Sequence, residues 1–264
     1  MGTALEKSPL LEQLQALAPW HFDIPVGQGL RTIHGNQTAY DDPDKVGVGT
    51  VNTDSIRALL NKLFPNGMAD RSFLDAGCNG GAYCFLAKEL GASHVVGFDV
   101  REHWIKQAQF LTSILETDVS NMQFCVKHLH EFEAPEKHFD VTLFKGVFYH
   151  LPNPIAAVEK LCSLTNNVII IDTASKQGIP ANSMVTHFEN QTQVMSGVDH
   201  LAWLPGGPQA VGDILKWLKF PHMRVDMNHH GWPGGLPDWG RFRIVAARDE
   251  SAFADFDSAI SGDP

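Results

Sequence analysis

The sequence predicts an α/β protein: one seven-stranded, mostly parallel sheet with helices on both faces and an N-terminal helix and hairpin added. Three observations carry this. From Ser72 to Ala247 short apolar runs alternate with helix-period stretches, the pattern of βα units. Several runs, Val168–Asp172 above all, are apolar at nearly every position, as strands covered on both faces must be. The first run also ends in a glycine-rich turn, DAGCNGG at residues 75–81, placed directly before a helix.

The elements follow in order. Leu10, Leu11, Leu14 and Leu17 recur at helical spacing, so Leu5–Leu17 reads as a helix stopped by Pro19. Apolar residues alternate loosely around Gly27-Gln28-Gly29, which predicts a small hairpin within Trp20–Gly35. A second helix is expected over Asn52–Phe64, with Ile56, Leu59, Leu60 and Leu63 on its apolar face and Pro65-Asn66-Gly67 ending it. Strands are then expected at Ser72–Ala76, His94–Asp99, Met122–Val126, Val141–Phe144, Val168–Asp172, Met223–Met227 and Arg241–Ala247. Helices are expected at Ala82–Leu90, Glu102–Glu116, Pro154–Leu164 and Gly212–Leu218, with Trp217 on the core face of the last. The stretch 173–207 breaks the rhythm, and long insertions of this kind commonly serve binding. Residues 1–70 are read as an extension and lid of the same domain, 71–248 as the core with its insert, and 249–264, small and acidic, as a flexible tail.

Composition narrows the function. A chain of 264 residues with 44% hydrophobic content can bury one large core. Its formal net charge of -10 and the lack of a Lys/Arg run argue against an extended nucleic-acid footprint, because such affinity rests on neutralised phosphates. Cys78, Cys84, Cys125 and Cys162 form no CxxC pair, so neither a disulfide framework nor a zinc knuckle is expected. The first 20 residues resemble no signal peptide and no run reaches bilayer-spanning length, so a cytoplasmic protein without membrane partners is expected. The oligomeric state stays open, a homodimer being the commonest arrangement.

The glycine turn carries the chemistry. Gly77, Gly80 and Gly81, with Cys78 and Asn79 between them, let a ligand approach bare backbone beside a helix N-terminus. No Gly-Lys-Ser/Thr follows, which excludes a P-loop, and the G-x-x-G-G spacing departs from the dinucleotide G-x-G-x-x-G. Asp75 is placed to accept a hydrogen bond from an ammonium group, and Asp99, ending the next strand, to accept both hydroxyls of a ribose. Acid, glycine turn, helix, strand and acid together resemble the Rossmann-like class I methyltransferases that use S-adenosylmethionine (SAM). The resemblance covers roughly residues 71–248. It implies that Asp75–Gly81 hold the methionine portion of SAM, that Asp99 holds the ribose, and that Val100, His128 and Leu129 lie near adenine. Asn79 stands where the middle glycine of the family's D-x-G-x-G-x-G form is common, and asparagine tolerates left-handed dihedrals. WHFDIPVGQGLRTIHG, FKGVFYHLPNP and WLPGGPQAVGDILKWLKF extend the resemblance to the family of the tRNA wobble-uridine carboxymethyltransferase. That family implies carboxy-SAM as an alternative cofactor, which hinges on a cation near the transferred group. Arg31, Lys145 and Arg224 are the candidates.

Methyl transfer requires alignment of the acceptor and, for oxygen or nitrogen acceptors, a base such as histidine. Ligands bind past the C-terminal ends of such strands, so Lys145 to His150 should line the pocket, with Tyr149 and His150 leading. His187 and His200 in the insert and Arg31 in the hairpin are further candidates. Trp203, Trp232 and Trp239 sit in loop-rich sequence and could wall an apolar acceptor. His229 and His230 with Asp226 and Asp238 make a poor metal set, because neighbours on a strand face opposite ways. The expected activity is methylation of a small metabolite. The alternatives are tRNA modification, a NAD-dependent oxidoreductase, or a SAM-fold protein retained for binding or assembly.

Overall fold

The structure is a computed structural model and describes residues 8–36, 53–134, 138–190, 195–227 and 238–261. The N-terminal part holds helix α1 (Pro9–Ala16), a hairpin of β1 (Pro25–Gly27) and β2 (Leu30–Arg31), and α2 (Asp54–Leu63). The core follows as β3 (Ser72–Ala76), α3 (Ala82–Glu89), β4 (His94–Asp99), α4 (Glu102–Ile114), β5 (Met122–Val126), β6 (Phe139–Lys145), α5 (Pro154–Leu164) and β7 (Thr165–Lys176). The insert carries β8 (Met184–Phe188) and β9 (Leu201–Pro205). Then come α6 (Pro208–Trp217), β10 (His222–Asp226), β11 (Trp239–Ala247) and α7 (Ala254–Ser261).

The main sheet has seven strands in the order β10-β11-β7-β6-β3-β4-β5. Strands β7, β6, β3, β4 and β5 pair in parallel, while β11 runs antiparallel to both of its neighbours. The chain leaves β3 toward β4 and β5, then crosses to the other side of β3 to form β6. Such a reversal opens a crevice at the strands' C-terminal ends, and the segments after β3, β4 and β6 all emerge there.

Side chains alternate across the sheet and divide its core into two layers. Phe73, Val95, Leu143, Ile170 and Val245 face one way and pack with Ile56 and Leu60 of α2 and Tyr83 of α3. Leu74, Val96, Phe144, Ile171 and Ile244 face the other way and pack with Ala157 and Leu161 of α5 and Val211 and Leu215 of α6. Both layers being buried explains the continuous apolar runs in the sequence. A third cluster joins Leu11, Leu14 and Trp20 of the N-terminal part to Phe85 and Leu111 of the core helices.

Several sequence expectations change. The segment 173–207 is more ordered than its mixed composition suggests. Strand β7 runs on to Lys176, paired along its length with β11, and β8 and β9 form an antiparallel hairpin. Trp217 is 61% exposed: α6 buries Val211 and Leu215, and a residue two positions beyond Leu215 points to the opposite side of the helix. Residues 250–261, expected to be flexible, form a short 3-10 turn and α7. Phe253 is fully buried in the core layer of α2, and the Arg224 guanidinium lies 4.4 Å from its ring centroid. The loop at 40–49, Trp232 and the His229-His230 pair lie outside the described residues.

Truncating Phe253 to Ala is expected to cost about 3–5 kcal/mol of folding stability, as for other large-to-small changes at buried aromatic sites. Chemical denaturation of the two proteins checks this; equal midpoints and slopes would show that the helix at 254–261 does not dock.

Candidate active site

The turn after β3 is held from two directions. The Gly77 and Cys78 N–H groups both donate to the Phe98 carbonyl of β4 at 2.9 Å. Gly77, Asn79 and Gly81 have φ values of 80°, 50° and 81°, the left-handed region open to glycine and tolerated by asparagine. Asn79 therefore fills the place of the middle glycine without breaking the turn, and its side-chain oxygen accepts from the Gly80 N–H at 2.7 Å. Gly77 has a steric role as well. A Cβ there would lie 2.3 Å from a methyl carbon of Val147, in the loop after β6. The two strand exits meet at this point, so the loop that presents Tyr149 and His150 packs directly on the glycine turn.

Asp99 closes β4 and braces the turn. One carboxylate oxygen accepts from the Asn79 N–H at 3.0 Å and the other from the Arg101 N–H at 2.9 Å. Burial raises the carboxyl above its ordinary range, and these backbone donors oppose the rise. Asp75, 2% exposed, is pushed up to about 8, first by burial and then by the charge of Asp99. Two crowded, partly desolvated acids beside a glycine turn suit a ligand that brings a ribose diol and positive charge. SAM fits on both counts: its ammonium would meet Asp75 and its ribose Asp99. Of the other expected cofactor contacts, Leu129 is buried against Phe98 and Phe132, Val100 is half-buried, and His128 is exposed.

A charge cluster lies beside this region. Asp172 of β7 is fully buried and pairs with Lys145 of β6 at 2.9 Å, Arg241 of β11 at 2.8 Å and Arg243 of β11 at 3.3 Å. The Lys145 ammonium is thus committed to Asp172, and burial lowers its pKa against the pull of that carboxylate. The Arg241 guanidinium carbon sits 5.6 Å from the ring centroid of buried Tyr149. Burial raises the Tyr149 hydroxyl above its ordinary range, although Arg241 opposes this. The cation beside Tyr149 is therefore Arg241, which the sequence reading did not single out. Arg224 is on the surface, paired with Glu250 and Asp257, and Arg31 is paired with Asp23 at 2.6 Å in the N-terminal hairpin.

His150 belongs to the 3-10 turn Phe148–His150 after β6, and its Nδ1 lies 2.6 Å from Glu189 Oε1. The other Glu189 oxygen accepts from the Gly197 N–H at 2.7 Å. Burial alone would raise Glu189, but the hydrogen bond and charge of His150 and the Gly197 amide bring it below its ordinary value. His187 joins the neighbourhood edge-on to Trp239, with ring centroids 5.3 Å apart, and Trp239 packs edge-on to Tyr149 at 6.5 Å. His200 is exposed in the β8–β9 connection. Its backbone carbonyl accepts from the Glu189 N–H at 2.9 Å, which fixes backbone and brings no ring contact with His150. Trp203 donates its indole N–H to the Pro152 carbonyl at 3.0 Å, tying the insert to the β6 loop.

Two segments flank the site. The Arg101 guanidinium, two residues past Asp99, donates to the Ser196 carbonyl of the insert. From the N-terminal part, Phe22 packs edge-on against Tyr83 at 5.2 Å, and the Gln107 side chain donates to the carbonyls of Leu17 and Pro19 at 2.6 and 2.8 Å. The N-terminal segment therefore rests on α3 and α4, and the insert on Arg101 just before α4.

Comparison with known proteins agrees with this geometry. A family model described as a methyltransferase domain matches residues 69–222, and the chain belongs to that family, whose members take their methyl group from SAM. Among curated relatives, the tRNA U34 carboxymethyltransferase of Nautilia profundicola is 29% identical over 113 residues, covering 42% of this chain and 37% of the relative. That of Campylobacter curvus is 32% identical over 117 residues, covering 43% and 38%. The aligned region thus spans under two fifths of these relatives' length. In fold, the chain resembles the N-terminal domain of EvdMO1 with S-adenosylhomocysteine bound (TM-score 0.69, 17% identity, 90% of this chain and 95% of that one). It also resembles magnesium protoporphyrin IX methyltransferase from Synechocystis with bound SAM (TM-score 0.54, 18% identity, 81% and 93%).

Burial pushes Asp75 up to about 8, and the ammonium group of a bound ligand would favour its ionised form. Affinity for S-adenosylhomocysteine is therefore expected to fall as pH drops from 8 to 6, approaching tenfold per unit, and binding at pH 7 should release a proton. Calorimetric titration in buffers of different ionisation enthalpy measures both effects. In Asp75→Asn both should vanish; a wild-type affinity flat across this window would contradict the assignment of Asp75.

Proposed function

We propose that this chain transfers a methyl group from SAM to an oxygen or nitrogen atom of a small molecule. The observation that carries the reading is the pair of buried acids, Asp75 and Asp99, on either side of a left-handed glycine turn. When bound there, SAM supplies a methyl carbon on a sulfonium, a group that leaves as a neutral thioether. The chain's own residues then have two tasks. Asp99, Asp75 and the turn hold the nucleoside and the ammonium. Tyr149, His150, His187 and Trp239, from the β6 loop, the insert and β11, form one wall at which an acceptor would be oriented, and alignment alone contributes much of the rate of such a displacement. A small acceptor is favoured by the formal net charge of -10, which repels a phosphate backbone, and by the insert and N-terminal segment resting on the site.

A second reading, carboxymethyl transfer to tRNA, is favoured by one observation beyond the relatives' names: Arg241 beside Tyr149, a cation able to receive a carboxylate on the transferred group. The two readings part in one experiment. The purified protein is incubated with methyl-labelled SAM or with carboxy-SAM, and with either a small-metabolite extract or total tRNA. Label from SAM entering the metabolite fraction alone is the expected result. Transfer to tRNA, or transfer from carboxy-SAM only, would replace the first reading with the second.

A further inference from the structure

We propose that Glu189 is a positioning residue that makes His150 the general base of the transfer. The proposal deepens the reading above and rests on it. The carboxylate of Glu189 is held below its ordinary range and is therefore ionised at neutral pH, and an ionised carboxylate can only accept. The 2.6 Å contact then requires the proton to sit on His150 Nδ1. A neutral imidazole with Nδ1–H has its basic lone pair on Nε2, and among the described residues no hydrogen-bond partner meets that nitrogen. The His150 side chain keeps 17% exposure while Glu189 keeps 8%, so the carboxylate is the sheltered partner and the imidazole the accessible one.

The pair is built rather than incidental, because three separate pieces of chain hold it. The His150 N–H donates to the Val147 carbonyl at 2.9 Å, in the same loop that packs on Gly77. Glu189 is fixed at both ends, its backbone N–H on the His200 carbonyl and its second carboxylate oxygen on the Gly197 N–H. Gly197 itself is required. A Cβ there would fall 2.4 Å from the His150 carbonyl oxygen and 2.7 Å from Glu189 Oε2. The neighbouring Ser196 carbonyl receives the Arg101 guanidinium, so the loop that carries the carboxylate's anchor also touches the segment just after the ribose acid. Among the described residues, the charged and titratable neighbours of the pair are His187 from the insert, which acts on Glu189, Tyr149 from the turn of His150, and Arg241 behind Tyr149.

In the step this arrangement serves, the acceptor's O–H or N–H proton passes to His150 Nε2 as its lone pair attacks the methyl carbon. The carbon–sulfur pair stays on sulfur. The resulting imidazolium is stabilised by Glu189 and returns its proton to solvent.

Two measurements on the full chain test the proposal without an acceptor. The first is imidazole nitrogen NMR across pH. It should show neutral His150 as the Nδ1–H tautomer in the wild type, and in Glu189→Ala, which removes the acceptor, a shift toward the Nε2–H form. The second is carbethoxylation by diethyl pyrocarbonate, mapped by mass spectrometry. It should modify His150 in the wild type, and at the same pH more slowly in Glu189→Ala, where the lone pair no longer stays on the accessible Nε2. An Nε2–H tautomer in the wild type, a tautomer unchanged in Glu189→Ala, or a His150 inert to the reagent while paired to Glu189 would each overturn the assignment, the last by showing that the pair is only structural. Thermal melting confirms that Glu189→Ala is folded, and Glu189→Gln, whose amide oxygen can still accept from Nδ1–H, should retain the wild-type tautomer. If titration shows no SAM or S-adenosylhomocysteine binding, the methyltransferase reading fails while these two measurements still report on the pair.

Discussion

A turn that must reverse direction within seven residues, between a buried strand and a buried helix, constrains everything around it. After β3 the chain adopts left-handed backbone at Gly77, Asn79 and Gly81. The turn is stapled to β4 by the Phe98 carbonyl and the Asp99 carboxylate. Because Asp99 also accepts from the Arg101 N–H, one carboxylate sets both the turn and the start of α4. Because Gly77 has no Cβ, Val147 can close on it, and that contact places the loop carrying Tyr149 and His150. The placement of Asp99 and that of the loop bearing Tyr149 and His150 are thus tied to one turn.

Burial of charge is the second organising feature. Asp172 lies fully buried near the end of a central strand, where an unpaired carboxylate would be strongly destabilising. Lys145, Arg241 and Arg243 surround it from the strands on either side. The price is paid in specificity of position: these cations cannot wander, and Arg241 is thereby fixed beside Tyr149. Asp75 and Asp99 are treated differently. Their carboxyls are raised chiefly by burial, and among the described residues no ion pair joins either acid to a cation.

The central βα pattern was legible in the sequence because parallel strands buried on two faces leave unbroken apolar runs. The acids and glycines at 75–81 and 99 were legible because their types and spacing follow from what the turn must do. Glu189, Arg241 and Asp172 were not, because each acts through a partner 39 to 71 residues away in the chain, and no local period marks such pairs. Trp217 misled because helical periodicity alone does not say which face of α6 is covered. The 250–261 segment misled because its acidic composition hides a single anchoring aromatic, Phe253.

The most direct test of the central claim is titration of the wild type and of Asp99→Ala with S-adenosylhomocysteine, each checked for a native circular dichroism spectrum. The account predicts saturable one-to-one binding by the wild type and at least a hundredfold loss in the folded variant. Equal binding by the two, or none by a folded wild type, would mean that the turn and its two acids do not form the cofactor site.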